Sequence, residues 1–258
     1  MGHTVMNADY NGATTPRGPS NGLWHNPALP CPWNRIQDEM IGIGINDDFT
    51  EIDTTDVYVA TQATTGTAVL DDAVGGVLLL DCNSTTATQG IQLQRAGSAT
   101  TGELFLPAAG KHIWCEARVK VADMTAGTTG PEFFFGLATI DTTVIGTSAN
   151  STDNHIGFES ITDDGVLLGY GEKATVRTTG VTTHSLVDDT WVKLGFTVEG
   201  VSTITFYVNG VACATTLDDT YIPLTAMVPT FVCQSDGTVD SILHVDWLRV
   251  AQLTDTNP

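Results

Sequence analysis

Three carboxylates lie close together early in this 258-residue chain. Glu51, Asp53 and Asp56 have the spacing Glu-x-Asp-x-x-Asp, and the first two would share one face of a strand. Two carboxyl groups about 5 to 5.5 Å apart can hydrolyse a glycosidic bond with retention, one as nucleophile and one as acid and base. A short acidic run is equally typical of a turn between strands. Because such a short pattern matches by chance, we favour the turn, predict no catalytic residues and expect a protein that is not an enzyme.

Acidic side chains can also hold a metal ion, but their spacing here argues against it. Ca²⁺ takes about six to eight oxygen ligands, whereas adjacent aspartates on a strand point to opposite sides. The histidines and cysteines form no short pair of the kind that seeds a zinc site. We therefore expect no bound metal, no cofactor, and solvated turns at the aspartate pairs Asp47-Asp48, Asp71-Asp72, Asp163-Asp164, Asp188-Asp189 and Asp218-Asp219.

Three aromatic residues are candidates for stacking on a sugar ring. The strand patterns place Tyr170, Trp191 and Tyr207 on a polar face or at a rim. Aromatic rings at such positions hold glycans in sugar-binding sheets. The same rings also suit the covering of a sheet edge or an interface, which we favour, and both interpretations stay open.

The charge of the chain limits its partners. Thirty acidic and ten basic residues give a formal net charge of −20, which repels phosphate backbones and anionic lipid headgroups. The apolar runs are far shorter than the roughly twenty residues that cross a bilayer, and the first residues do not resemble a signal peptide. The five cysteines suggest no disulfide framework, which indicates synthesis in a reducing cytoplasm. We expect neither nucleic acid nor membrane as a partner.

The elements that must position these residues are β-strands. Val192, Leu194 and Phe196 alternate with polar residues, a period of two, and Asn209-Gly210 predicts a type I′ hairpin after the next strand. A dozen or more strand signals follow residue 47, and the sequence has no long window with a helical period. So many strands in one body predict the all-β class, as a two-sheet antiparallel jelly-roll sandwich.

Residues 1–46 differ from the rest, and we predict an extended, proline-rich N-terminal arm followed by a sandwich domain over residues 47–258. Five prolines disfavour regular pairing in this arm. Its large apolar residues need a surface, which is either the arm's own sandwich or a neighbouring subunit or other partner. We favour the second, and the sequence leaves both open. The predicted anchors are Leu23, Trp24, Pro27, Leu29, Pro30 and Trp33.

Four blocks together resemble the concanavalin-like, laminin-G-type jelly-roll proteins found among the virion structural proteins of tailed bacteriophages. They are NPALPCP at 26–32 with DDFT at 47–50, KHIWCEARVKVAD at 111–123, DDTWVKLGFTVEG with TFYVNG between 188 and 210, and VDWLRVAQ at 245–252. The hairpin block is shared by lectins, adhesion modules and glycanases, so it argues for the fold more than for a function. The arm and the opening block are what suggest a virion.

The resemblance implies a non-enzymatic protein that decorates or cements the outer surface of a capsid through its arm. Its partners would be the major capsid protein and copies of itself, as a trimer or dimer, and it would be made in the host cytoplasm and reside in the virion. The acidity agrees with an outer position, since an inner one would face packaged nucleic acid. Two alternatives remain: a lectin-like module that presents a glycan-binding site on a particle, and a laminarinase-type glycanase. The glycanase family carries Glu-x-Asp-x-x-Glu, from which this chain departs at Asp56.

Overall fold

Apolar and polar side chains alternate along most strands, and in the computed structural model these strands form two antiparallel sheets. The structure describes residues 17–38, 41–54, 56–63, 65–71, 75–96, 102, 104–122, 132–141, 154–160, 166–178, 180–240 and 242–254. Sheet A comprises β1 (Gly42–Asp47), β3 (Thr67–Asp71), β4 (Val77–Asp81), β6 (Ile113–Ala122), β12 (Val192–Glu199), β13 (Thr203–Val208), β14 (Val211–Asp218) and β16 (Ile242–Leu253). Sheet B comprises β2 (Val59–Ala63), β5 (Gly90–Gln94), β7 (Glu132–Ala138), β8 (His155–Ser160), β9 (Val166–Lys173), β10 (Val176–Arg177), β11 (Val181–Ser185) and β15 (Val228–Gln234).

The order of strands is that of a jelly-roll sandwich. Sheet A runs β14-β13-β12-β6-β16-β4-β3, with β1 also paired to β16. Sheet B runs β10-β9-β8-β7-β15-β5-β2, with β11 also paired to β9. Neighbours distant in sequence, such as β6 and β16, therefore lie side by side. The predicted fold class, all-β with two antiparallel sheets, is confirmed.

The inward rows of the two sheets meet in one apolar core. Phe158 of sheet B contacts Phe206 of sheet A edge to face, with ring centroids 5.2 Å apart. Within sheet B, Phe135 stacks on Phe231 at 5.2 Å between centroids. Each such fully buried side chain stabilises the fold by about 1.5–3 kcal/mol. Each sheet therefore has one face packed on the core and one outer face, and the candidate sites lie on the outer faces.

The hairpin between β13 and β14 is the turn that the sequence predicts. Asn209 and Gly210 have φ angles of 50° and 79°, and Val208 pairs with Val211. A two-residue loop with both φ angles positive has the geometry of a type I′ turn. It fixes the register that points Tyr207 away from the core.

Residues 17–38 lie across the outer face of sheet A. They contain two short helices, α1 (Asn21–Trp24) and α2 (Trp33–Asp38), where the sequence predicted an extended arm. The prolines do not oppose this, because Pro19 and Pro32 precede the helices, where no backbone N–H is needed. Side chains of the arm and of sheet A share one apolar cluster: Leu23, Trp24, Cys31, Ile36, Trp114, Tyr207, Ala251 and Leu253.

The predicted domain boundary at residue 46 falls inside a strand. β1 pairs with β16 from Gly42 opposite Leu253 to Asp47 opposite Leu248. The strand was missed because GIGIND combines glycines with only two large apolar residues, too few to show a period. The sandwich therefore begins at Gly42, and the described arm ends at residue 38.

Candidate functional site

The outer face of sheet B carries a buried cluster of charged side chains. Alternate residues of β8 belong to the core, so His155 and Glu159 point outward. Antiparallel pairing sets Glu172 of β9 opposite His155, and β10 sets Arg177 opposite Glu172. Three adjacent strands thus bring four ionisable groups together.

Glu159 is the centre of this cluster. Its Oε1 lies 2.8 Å from His155 Nε2, and its Oε2 accepts a hydrogen bond from Arg177 Nη2 at 2.5 Å. Arg177 Nη1 lies 3.7 Å from Glu172 Oε2. The same guanidinium covers the ring of Tyr170 at 4.1 Å from the centroid. Arg177 therefore contacts the carboxylates of both Glu159 and Glu172, and the imidazole of His155 lies beside the other oxygen of Glu159.

This part of the face is closed to solvent. Glu159 and His155 are 0% exposed, and Glu172 is 3% exposed. Glu159 contacts the side chains of His155 and Arg177 in the interior, so the four groups form a buried cluster on this face. Beside it lies a small buried apolar group, Phe134, Ala138 and Val232.

On sheet A, a second buried carboxylate holds the arm. Glu116 points outward from β6 and is 0% exposed. Its Oε2 accepts hydrogen bonds from Ser20 N at 2.9 Å and Trp24 Nε1 at 2.7 Å. Burial raises the pKa of Glu116, and these bonds together with the charge of Lys193 oppose that shift. These two hydrogen bonds join the arm to the sheet, so Glu116 is a principal attachment point of the arm.

Basic side chains complete the contact between the arm and sheet A. The guanidinium of Arg249 lies 4.6 Å from the ring centroid of Trp24 and 3.8 Å from that of Trp33. Asp246 pairs with Arg118 on the sheet and with Arg17 on the arm, each at 2.7 Å. Six of the ten Lys and Arg residues of this acidic chain lie on this face or on the arm: Arg17, Arg35, Arg118, Lys120, Lys193 and Arg249.

Four of the six predicted arm anchors pack on the protein's own sandwich. Leu23 and Trp24 are 0% and 2% exposed, which corrects our preference for a partner subunit as their surface. The preference failed because the sequence does not show that Trp114 and Glu116 point outward exactly where the arm passes; only strand pairing brings them there. The other anchors are half-buried (Leu29 and Trp33) or exposed (Pro27 and Pro30).

Two of the three predicted glycan-stacking residues are inaccessible. Tyr170 is 4% exposed beneath Arg177, and Tyr207 is 3% exposed beneath the arm. Trp191 is half-buried, with the Arg118 guanidinium 4.5 Å from its ring centroid. All three rings are occupied by contacts within the chain. Tyr170 and Tyr207 face outward as predicted, but other parts of the chain cover them, which corrects the expected stacking of these two rings on a sugar.

The acidic run near residue 50 lies in the loop between β1 and β2. Glu51, Asp53 and Asp56 are exposed, and Asp53 Oδ1 accepts a hydrogen bond from the backbone N of Asp56 at 3.0 Å. Asp218 similarly accepts from Thr220 N at 3.0 Å. These carboxylates stabilise turns. Asp72, Asp163 and Asp164 of the predicted turns lie outside the described residues.

In the part of the chain that the structure describes, no three His, Cys, Asp or Glu side chains are arranged to hold a metal ion. None of the helices described above is long and apolar enough to cross a membrane.

Sequence reasoning did not single out the buried glutamates. A signal was present, because Glu116 lies between the core residues Cys115 and Ala117, and Glu159 follows the core residue Phe158. Most outward positions on a solvated strand are polar without consequence, so the pattern alone does not separate a buried carboxylate from an exposed one.

Comparison with known proteins identifies the fold. No family model and no curated protein matches this sequence. Solved structures do match: a β-glucanase from Bacillus licheniformis has a TM-score of 0.53 at 13% identity over 80% of this chain and 97% of the other. The lectin-like defence protein arcelin-5 from Phaseolus vulgaris has a TM-score of 0.56 at 7% identity over 82% and 98%. Peanut lectin has a TM-score of 0.55 at 11% identity over 82% and 97%. At these identities the likeness shows a concanavalin-like sandwich.

Proposed function

We propose that this chain is a non-enzymatic structural protein of a tailed-phage virion that decorates or cements the outer surface of the capsid. The observation that carries the proposal is the closure of the outer face of sheet B around Glu159. The ionisable groups described there, His155, Glu159, Glu172 and Arg177, are engaged in contacts with one another. A sandwich filled in this way suits a rigid body presented to neighbouring proteins. Its partners are the major capsid protein and further copies of itself.

The net charge supports a place on the outside of the particle. A formal charge of −20 repels packaged nucleic acid, whereas an outer position exposes it only to solvent and counterions. Binding only to the assembled lattice would stabilise that lattice by mass action.

The burial of Leu23 and Trp24 removes them from any docking surface. The exposed side of the arm carries Pro27 and Pro30, whose rigid backbone loses little conformational freedom on binding. We therefore place the capsid contact on this exposed side, with the arm held on its own sandwich.

The test is sedimentation of the full-length protein with particles of the phage that encodes it, stripped of their own copy. We expect saturable binding to the outside of the particles, seen by electron microscopy with antibody labelling. The double variant Pro27→Glu/Pro30→Glu should bind at least about tenfold more weakly with an unchanged thermal midpoint. The control is Leu224→Glu, an exposed residue elsewhere, which should bind normally.

Two outcomes would contradict the proposal. Absence of the protein from purified particles, together with no binding to stripped ones, removes the virion role. Release of reducing sugar from a β-1,3- or mixed-linkage glucan by the purified chain removes its non-enzymatic character.

A further inference from the structure

A cavity of about 680 Å³ opens where the arm crosses sheet A. The arm turn at 18–25 forms one side, and Lys193, Asn209 and Arg249 contribute to the other. Its size lies within the roughly 300–1,000 Å³ that small-molecule sites occupy. The ion cluster of sheet B and the loop at residues 51–56 are on other parts of the molecule.

The charge of the cavity is opposite to that of the chain. Its eleven lining residues include two of the ten Lys and Arg residues and none of the thirty Asp and Glu residues. Glu116 lies beneath the arm, where Ser20 N and Trp24 Nε1 occupy its Oε2 and its charge acts on both Lys193 and Arg249. Two cations against one buried carboxylate leave this region with a net positive charge, which favours anions in so acidic a protein.

The basic groups of the cavity are held in place and retain donors. Lys193 Nζ donates one hydrogen bond to Gly18 O at 3.1 Å, and an ammonium group has three N–H donors. Arg249 lies against the rings of Trp24 and Trp33. Stacking on the ring faces leaves the edge of a guanidinium directed at other groups. Both cations are thus positioned before any ligand arrives, which lowers the entropic cost of binding.

Neutral polar groups stand beside these cations. Ser20 is 4% exposed, and its Oγ lies near the Glu116 carboxylate without forming a well-aligned hydrogen bond. A hydroxyl group has one donor and two acceptor positions, so it can also bond to a ligand in the cavity. The side chain of Asn209 is exposed at the rim, where its Oδ1 accepts a hydrogen bond from Lys193 N at 3.0 Å and its amide NH₂ can donate. A bare inorganic anion would need only the cations, whereas a ligand that carries both a carboxylate and hydroxyl groups uses every one of these side chains.

We propose that this cavity binds an acidic saccharide, whose carboxylate pairs with Lys193 and Arg249 and whose hydroxyl groups bond to Ser20 and Asn209. The site goes beyond the capsid role, because the cavity lining does not include the proposed capsid contact on the arm. Sugar binding and shell binding are also measured separately, so either can fail without the other. It also differs from the stacking site that the sequence predicted, because it uses neither Tyr170 nor Trp191.

The experiment is isothermal titration calorimetry of the full chain with three probes. Methyl α-D-glucuronide and methyl α-D-glucoside share a ring and differ in the carboxylate, and sodium acetate supplies a carboxylate without a ring. We expect the glucuronide to bind with a Kd on the order of 1 mM, and the other two at least about tenfold more weakly. Added salt should weaken the binding.

Two variants locate the site. Lys193→Met keeps the apolar stem and removes the charge, and should weaken glucuronide binding at least about tenfold. Ser20→Ala keeps the backbone hydrogen bond to Glu116. It should weaken glucuronide binding about threefold or more without lowering the thermal midpoint. Lys173→Met is the control, because this residue lies on β9 of the opposite sheet. The variant should bind glucuronide as the unmodified chain does.

Each other outcome overturns the proposal. Equal affinity for glucuronide and glucoside, or no detectable binding of glucuronide, removes the acidic saccharide as ligand. Acetate that binds as tightly as glucuronide reduces the cavity to a simple anion site. Glucuronide binding that survives both Lys193→Met and Ser20→Ala places the sugar elsewhere on the molecule.

Discussion

The outer faces of the two sheets both bury a carboxylate, and they satisfy it in different ways. On sheet A, Glu116 accepts hydrogen bonds from an arm that lies 92 and 96 positions away in the chain. On sheet B, Glu159 is paired with groups only 4 and 18 positions away, on its own and a nearby strand. The first solution uses neutral N–H donors and aromatic packing, and the second uses opposite charge.

This difference has consequences for stability. The arm contact is made of many individually weak interactions, so a single substitution weakens it by a limited amount. The ion cluster concentrates its energy in one guanidinium, and removing that group leaves uncompensated charge in the interior. The four predictions below test this contrast, in order of decreasing expected effect.

Arg177→Met should be the most destabilising. It leaves Glu159 buried with His155 as its remaining contact among those described above, and we expect the free energy of unfolding to fall by about 3–5 kcal/mol in urea denaturation. Lys120→Met is the control, because its partner Asp189 is 70% exposed and surface pairs contribute at most about 1 kcal/mol. The double variant Glu159→Gln/Arg177→Met should recover part of the loss. If Arg177→Met and Lys120→Met lower the free energy of unfolding by the same amount, the contrast is refuted.

Trp24→Phe probes the arm contact on sheet A. It keeps an aromatic ring but removes the Nε1–H that Glu116 accepts, and should lower the free energy of unfolding by about 2–3 kcal/mol. Trp33→Phe is matched, since Trp33 also stacks with Arg249 but is only half-buried; its cost should stay below about 1 kcal/mol. If both variants unfold at the same urea concentration, the bond to Glu116 is not what holds the arm.

Gly195→Ala tests how closely the arm sits on sheet A. A Cβ at this position would lie 2.5 Å from Leu23 Cδ1 and 2.8 Å from Cys115 O, so we expect a loss of about 1–2 kcal/mol from overpacking. At Gly44 the nearest atoms, on Ile36 and Trp33, would be 3.4 Å away. Gly44→Ala should therefore change thermal stability by no more than about 0.5 kcal/mol. A neutral Gly195→Ala would mean that the arm stands further from the sheet.

The pH dependence of Glu116 should give the smallest effect. Its folded-state pKa is raised above the ordinary value of 4.5, mainly by burial, so protonation favours the folded state. The destabilisation caused by its charge is present above the folded pKa and disappears as the pH falls through that pKa toward the unfolded value. As the pH falls from 7 toward 4.5, the free energy of unfolding of the unmodified chain should therefore rise relative to that of Glu116→Gln. A constant difference would show that Glu116 does not titrate in this range.

Most of the sandwich was predictable, because strand periodicity is a local property of the chain. The strand signals that follow residue 47 correspond to strands of both sheets, and Asn209-Gly210 forms the expected turn. The strands that escaped prediction lack a usable period. In β3, Val69 and Leu70 are adjacent and both exposed, so no alternation marks them, and β1 is too rich in glycine.

What the sequence determined by itself is the class of the fold and the direction in which each strand side chain points. Alternation places Glu116, Glu159, Tyr170 and Tyr207 outward, and that is where the structure has them. Only the tertiary structure decided what covers them. The burial of Tyr207 depends on where residues 17–38 cross the sheet, and that of Glu159 on the pairing of β8 with β9 and β10. Such contacts depend on which distant segments become neighbours, and alternation along a single strand does not reveal its neighbours.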